Sequence, residues 1–110
     1  MKILISAVEK GLDGKFSERF ARADYFTIYD TETKEFKSEA NAFKEGASGV
    51  GVKVAQYVAD NKIDAVISGH FGPKASNALK SFYVKMYEFK GETVQEAING
   101  FNSGKLTSFE

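Results

Sequence analysis

One imidazole, two guanidinium groups and two glycine-bearing loops are the groups in this 110-residue chain best suited to recognising a charged ligand. The imidazole is His70, in the stretch Ser68-Gly69-His70-Phe71-Gly72-Pro73, directly after the apolar run Ala65-Val66-Ile67. An imidazole at the end of a strand can ligate a metal, move a proton or hydrogen-bond an anion. Gly69 and Gly72 allow a tight backbone path and the close approach of a ligand. Pro73 suits the first turn of a helix, where a missing N–H costs nothing. The same imidazole could also serve only to bond a backbone carbonyl and shape the loop, since a metal site needs more than one ligand.

The guanidinium groups are Arg19 and Arg22, both within Ser17-Glu18-Arg19-Phe20-Ala21-Arg22-Ala23. In a short helix, residues three apart share a face, and paired guanidinium groups suit an anion. The alternative is a solvated charged surface. The second glycine loop, Gly46-Ala47-Ser48-Gly49-Val50-Gly51, loosely resembles a phosphate loop. It lacks the lysine and the serine or threonine of a P-loop and does not directly follow a strand. Ser48 and Gly49 stand where a helix is about to begin, as a plain surface loop would also place them.

The composition excludes several chemistries. The chain has no cysteine, which rules out disulfides, thiolate catalysis and cysteine-ligated zinc or iron–sulfur sites. Fifteen basic and fifteen acidic residues cancel, so net charge gives no argument for nucleic acid or a membrane surface. No apolar stretch approaches the ~20 residues that cross a bilayer. Met1-Lys2 runs straight into a strand-like segment without a secretory signal, and the expectation is a cytoplasmic protein.

The elements that would position these groups follow from apolar spacing. Residues 2–8 form an apolar run of strand length, and residues 24–30, rich in aromatic and β-branched side chains, read as a second strand. A polar turn at 31–34 leads to an alternating, charged segment at 35–40, the pattern of an edge strand. Residues 40–49 read as a loop. From Gly51 to Asn61, Val54, Tyr57 and Val58 fall at helical spacing, with Val50 one turn earlier. Asp64–Ser68 is a buried strand, Ala75, Ala78, Leu79 and Phe82 mark a second helix, and residues 83–89 form a further strand. Thr93 and Glu96 have capping-box spacing before the apolar face of Val94, Ala97, Ile98 and Phe101, and Gly104 suits the end of that helix. The order predicts one domain over residues 1–110: an α/β chain in three α/β/α layers, built on a mixed five-stranded sheet. The first strand is central, a hairpin lies at one edge, and right-handed crossovers join the parallel strands. Ligands in such sheets bind beyond the carboxyl ends of the parallel strands. There the arginine segment, the loop before Gly51 and the His70 loop should meet, two of them opening helices whose free N–H groups attract anions.

Four segments together resemble the dinitrogenase iron–molybdenum cofactor biosynthesis family: Phe16 to Thr33, Gly46 to Asp60, Asp64 to Leu79 and Gly91 to Phe101. The resemblance covers nearly the whole chain. It implies a ribonuclease-H-like fold and non-catalytic binding of a preformed metal–sulfur cluster, as in nitrogenase accessory proteins and stand-alone relatives of anaerobes. Many relatives carry histidine and then glycine in the first motif, where this chain has Arg19 and Ala21. His70 is then the imidazole available as the metal ligand, with Arg19, Arg22, Ser48, Gly49, Gly69 and Gly72 around an anionic cluster. Cluster-assembly or acceptor proteins are the implied partners, and neither nucleic acid nor membrane is among them. A binder of a small anionic metabolite or nucleotide at the same strand ends is the alternative. A nuclease or phosphotransfer enzyme would need strand-end carboxylates to hold divalent metal, whereas the first strand offers Ser6 and the fourth ends at Ser68. A plain protein-interaction module is the remaining reading.

Overall fold

Ile3, Leu4 and Ile5 are fully buried in strand β1 (Lys2–Ala7) of the computed structural model, which describes residues 1–109. A strand apolar on both faces must be covered on both faces. Leu4 joins one core with Phe26, Ile28, Val54, Val58, Val66 and Leu79, whereas Ile3 and Ile5 join a second core with Ile67, Val94, Ala97 and Ile98. The two-residue period of the strand thus feeds two cores, one on either side of the sheet.

The remaining elements are β2 (Tyr25–Asp30), β3 (Phe36–Ala40), α1 (Val50–Asp60), β4 (Ala65–Ser68), α2 (Pro73–Ser81), β5 (Lys85–Glu88), α3 (Val94–Asn102) and β6 (Thr107–Ser108). The sheet order is β3-β2-β1-β4-β5-β6. β1 pairs antiparallel with β2 and parallel with β4, and β5 runs parallel to β4, as the crossover reading requires. Helices α1 and α2 cover one face and α3 the other, which gives the three α/β/α layers. The expected five-stranded sheet is corrected to six strands among the described residues. β6 is two residues long and pairs antiparallel with β5 through Tyr87–Ser108 and Glu88–Thr107.

Local chemistry accounts for the boundaries. In the β2–β3 turn, the Asp30 carboxylate accepts from the amides of Glu32 and Thr33, which holds its pKa below the usual range. The Tyr57 hydroxyl donates to Glu39 and ties α1 to the edge strand, while burial pushes the phenol pKa up. At α3, Thr93 Oγ1 accepts from the Glu96 amide and the Glu96 carboxylate accepts from the Thr93 amide, completing the capping box. Gly104 follows the helix with φ of 70°. One glycine controls how α1 meets α2. A Cβ on Gly51 would lie 3.0 Å from Ala75 Cβ, so the bare backbone lets the first turns of the two helices approach closely.

Candidate functional site

Helix α1 opens at Val50 and α2 at Pro73, and both openings line one cavity of about 500 Å³. Neither opening has a side-chain cap: Gly49 precedes α1 in the left-handed region (φ 68°) and Gly72 precedes α2 in extended backbone. The first intrahelical acceptors serve Lys53 and Ser76, whose amides reach the carbonyls of Gly49 and Gly72. Val50, Gly51 and Val52 in α1, and Lys74 and Ala75 in α2, are amides with no acceptor within their helix. No acidic residue sits in the first turn of either helix. In α3, by contrast, the Val94 and Gln95 amides donate to the Gly14 and Leu12 carbonyls and the Glu96 amide to Thr93 Oγ1, so the same positions all have partners.

The third wall is the arginine segment, which is not a helix. Arg19 forms an isolated parallel bridge with His70, and residues 21–22 form a turn. Arg19, Phe20, Ala21, Arg22 and His70 all line the cavity with the two helix openings, and Lys74 adds a third permanent cation. Among the described residues the lining includes no carboxylate. Phe20, at 3% exposure, and the buried Val50 and Ala75 form an apolar floor under this cationic rim. The Arg22 guanidinium donates to the Lys44 carbonyl at 2.7 Å, and Lys44 pairs with Asp24, which raises the lysine pKa. Arg22 is therefore partly engaged in holding the 41–49 loop beside the cavity.

The arrangement can hold a small anion. Each helix opening contributes about 0.3–1 kcal/mol toward a negative charge, more where water is excluded. Among the described residues, no three His, Cys, Asp or Glu side chains come together in a way that could hold a metal ion. His70, exposed at the rim, offers one imidazole donor.

Of the residues expected from sequence, His70, Arg19, Arg22 and Gly72 share this cavity. Ser48 and Gly49 are exposed on the approach to α1 and are not part of its lining. Gly69 faces a different neighbour: a Cβ there would sit 2.7 Å from Glu18 Cα, so this glycine lets the His70 loop lie against the arginine segment. Sequence reasoning missed Lys74, although its place right after Pro73, in the first turn of a helix facing the ligand end, was the available signal. A wider recess of about 710 Å³ lies between Gly69, Phe89, Gly100 and Leu106, where Glu88 sits beside Lys90 and Lys105. It has mixed charge and no helix opening, so the smaller cavity is the better anion site.

Comparisons with known proteins agree with the fold. The family profile described as dinitrogenase iron-molybdenum cofactor matches residues 1–104. The apo form of the orange protein from Desulfovibrio gigas is 31% identical, with a TM-score of 0.93 over 98% of this chain and 92% of that one. A Thermotoga protein provisionally described as NifB is 40% identical, with a TM-score of 0.86 over 97% of this chain and 91% of that one. An uncharacterized protein of Methanocaldococcus jannaschii is 29% identical over all of this chain and 97% of its own length. No helix among the described residues is long and apolar enough to cross a membrane.

Proposed function

The chain belongs to the dinitrogenase iron-molybdenum cofactor family, and from that premise we propose that it binds and carries a preformed, anionic metal–sulfur cluster without catalysing a reaction. The observation that carries the reading is the meeting of two uncapped helix openings with Arg19, Arg22 and Lys74 in a cavity whose lining, among the described residues, has no carboxylate. The cluster is cargo. It brings its own sulfide, which the cysteine-free chain does not supply as thiolate. His70 is the protein's one candidate metal ligand, and the amides and cations balance charge. Gly72 keeps its wall of the cavity low, while Ser48 and Gly49 flank the α1 opening.

The strand order β3-β2-β1-β4-β5, with β2 reversed, supports reading the topology as ribonuclease-H-like. Nucleases need strand-end carboxylates for divalent metal, and here the central strands end in Ser6 with Ala7, and in Ser68. This supports a carrier over a hydrolase. We place the carrier in the cytoplasm, as one domain, between proteins that assemble the cluster and proteins that accept it.

Two measurements test this. The first is anaerobic purification with metal and acid-labile sulfide analysis and a visible spectrum. The second is binding of tetrathiomolybdate, a small dianionic metal sulfide, to the purified chain. The reading expects sulfide-bearing metal in the first and saturable 1:1 binding in the second. Binding of phosphate or a nucleotide with tetrathiomolybdate ignored would overturn it in favour of a metabolite-binding module.

A further inference from the structure

The segment that presents both arginines has no regular secondary structure apart from the Arg19–His70 bridge. Such a segment holds its shape only if its backbone groups find partners elsewhere. Within the segment, Ser17 Oγ bonds the Arg19 amide and carbonyl, and three buried polar side chains from outside it meet the carbonyls around both arginines. Ser6 and Ser68, both fully buried, lie at the carboxyl ends of the adjacent parallel strands β1 and β4. Ser6 Oγ donates to the Ser17 carbonyl at 2.7 Å, and the Ser17 amide donates back to the Ser6 carbonyl at 3.0 Å. Ser68 Oγ lies 2.8 Å from Ser6 Oγ and 3.4 Å from the Glu18 carbonyl. The pair thus meets the two carbonyls that immediately precede Arg19.

Asn41, 8% exposed just after β3, does the same for Arg22. Its side-chain amide donates to the Ala21 carbonyl at 2.8 Å and to the Ala23 carbonyl at 2.9 Å, on either side of Arg22. Its own Oδ1 accepts from the Phe43 amide at 2.9 Å. These bonds span up to 62 residues of sequence. No buried polar side-chain atom among the described residues lacks a hydrogen-bond partner. A fully satisfied buried polar network fixes one geometry, because every alternative leaves a group unpaired.

We infer that Ser6, Ser68 and Asn41 are positioning residues: a buried polar clamp that sets the Arg19 and Arg22 backbone in a ligand-ready geometry before any anion arrives. The clamp touches no ligand. It acts through the arginines, and it rests on the anion-binding reading only for its effect on affinity. Preorganisation of this kind strengthens binding by removing the cost of ordering the loop.

The test has two arms. In the ligand-free protein, backbone amide relaxation is measured for residues 19–23 in wild type, Ser68→Ala and Asn41→Ala, with Asn41→Ser as a milder variant should Asn41→Ala not fold. The clamp predicts order parameters falling from about 0.85 toward about 0.6 at 21–23 in the Asn41 variants and at 19–20 in Ser68→Ala, with α3 unchanged. Equal order at 19–23 in all variants overturns it, whatever the ligand proves to be. In the second arm, tetrathiomolybdate affinity is measured in a double-mutant cycle. Asn41→Ala weakens binding about fivefold, the loss of one net hydrogen bond's effect on position. Arg22→Ala then costs less in the Asn41→Ala background than in wild type. Strict additivity of the two losses would show that the clamp is only structural. Absence of tetrathiomolybdate binding to wild type would contradict the proposed function and leave the first arm to decide the clamp.

Discussion

Gly69 and Gly72 look alike in the sequence, three residues apart around one histidine, but the structure assigns them opposite sensitivities to the same methyl group. An ideal Cβ on Gly69 falls 2.7 Å from Glu18 Cα and 2.8 Å from Glu18 Cβ. Because backbone is involved, the arginine segment or the His70 loop must move, and overpacking of this kind costs about 1–3 kcal/mol. Unfolding entropy is about 2.1 cal/mol/K per residue, or about 0.23 kcal/mol/K for a chain of this length, so Gly69→Ala should lower Tm by about 4–13 °C. A Cβ on Gly72 meets no atom within 4 Å, and its backbone (φ −68°, ψ 160°) suits alanine. The entropy removed from the unfolded chain, about 0.4–1 kcal/mol, is offset by the poorer N-cap that alanine makes, so stability should change by less than about 0.5 kcal/mol. The methyl group then stands at the α2 opening and holds an anion off several amides at once. With each helix-end interaction worth about 0.3–1 kcal/mol, tetrathiomolybdate should bind about fivefold more weakly. Thermal unfolding by circular dichroism and an anaerobic titration read the two effects separately. Equal melting temperatures for Gly69→Ala and wild type would refute the packing argument, and undiminished binding by Gly72→Ala would refute the placement of the anion.

Other expected outcomes follow from the same geometry. Arg19→Ala and Arg22→Ala should each weaken tetrathiomolybdate binding, more at 10 mM than at 150 mM salt, where the screening length falls from about 30 Å to about 8 Å; titrations at the two ionic strengths check this. His70→Ala should abolish any metal–nitrogen signal in X-ray absorption of the loaded protein while changing apo stability by less than about 1 kcal/mol, as expected for an exposed side chain. The Glu96 carboxylate accepts from the Glu92 and Thr93 amides, which lowers its pKa from the usual 4.5. A depressed carboxylate pKa contributes stability that is full above the unfolded pKa and is lost as pH falls through the folded one. Urea unfolding should therefore show the deficit of Glu96→Gln at pH 7 and its shrinkage below about pH 4.5; a deficit that grows on acidification would reverse the sign of the argument.

The sequence carried the parts of the fold that rest on repeated local pattern. The apolar run of β1, the spacing of Val50, Val54 and Val58, and the Thr93–Glu96 capping box each declare an element within a single window. β6 carries no such pattern, because two exposed residues, Thr107 and Ser108, become a strand only through pairing with β5. Residue type and strand-end logic brought His70, Arg19, Arg22 and Gly72 to one cavity. The short helix considered for Arg19 and Arg22 does not form; the segment instead bridges to His70 and is tied to Ser6 and Asn41. Those partners were illegible, since a serine in an apolar strand and an asparagine in a loop gain meaning only when the chain brings distant carbonyls to them. The distinct parts played by Gly69 and Gly72 were hidden for the same reason.

The central claim is that an anionic metal sulfide sits between the openings of α1 and α2. Its most direct test is a titration of the isotope-labelled protein with tetrathiomolybdate, following every backbone amide by NMR. The account predicts saturable shifts that are largest at Val50, Gly51 and Val52, at Lys74 and Ala75, and at Arg19 and His70, with α3 and its capping box unmoved. Shifts centred instead on the recess around Phe89, Gly100 and Lys105, or no saturable shift at all, would contradict it.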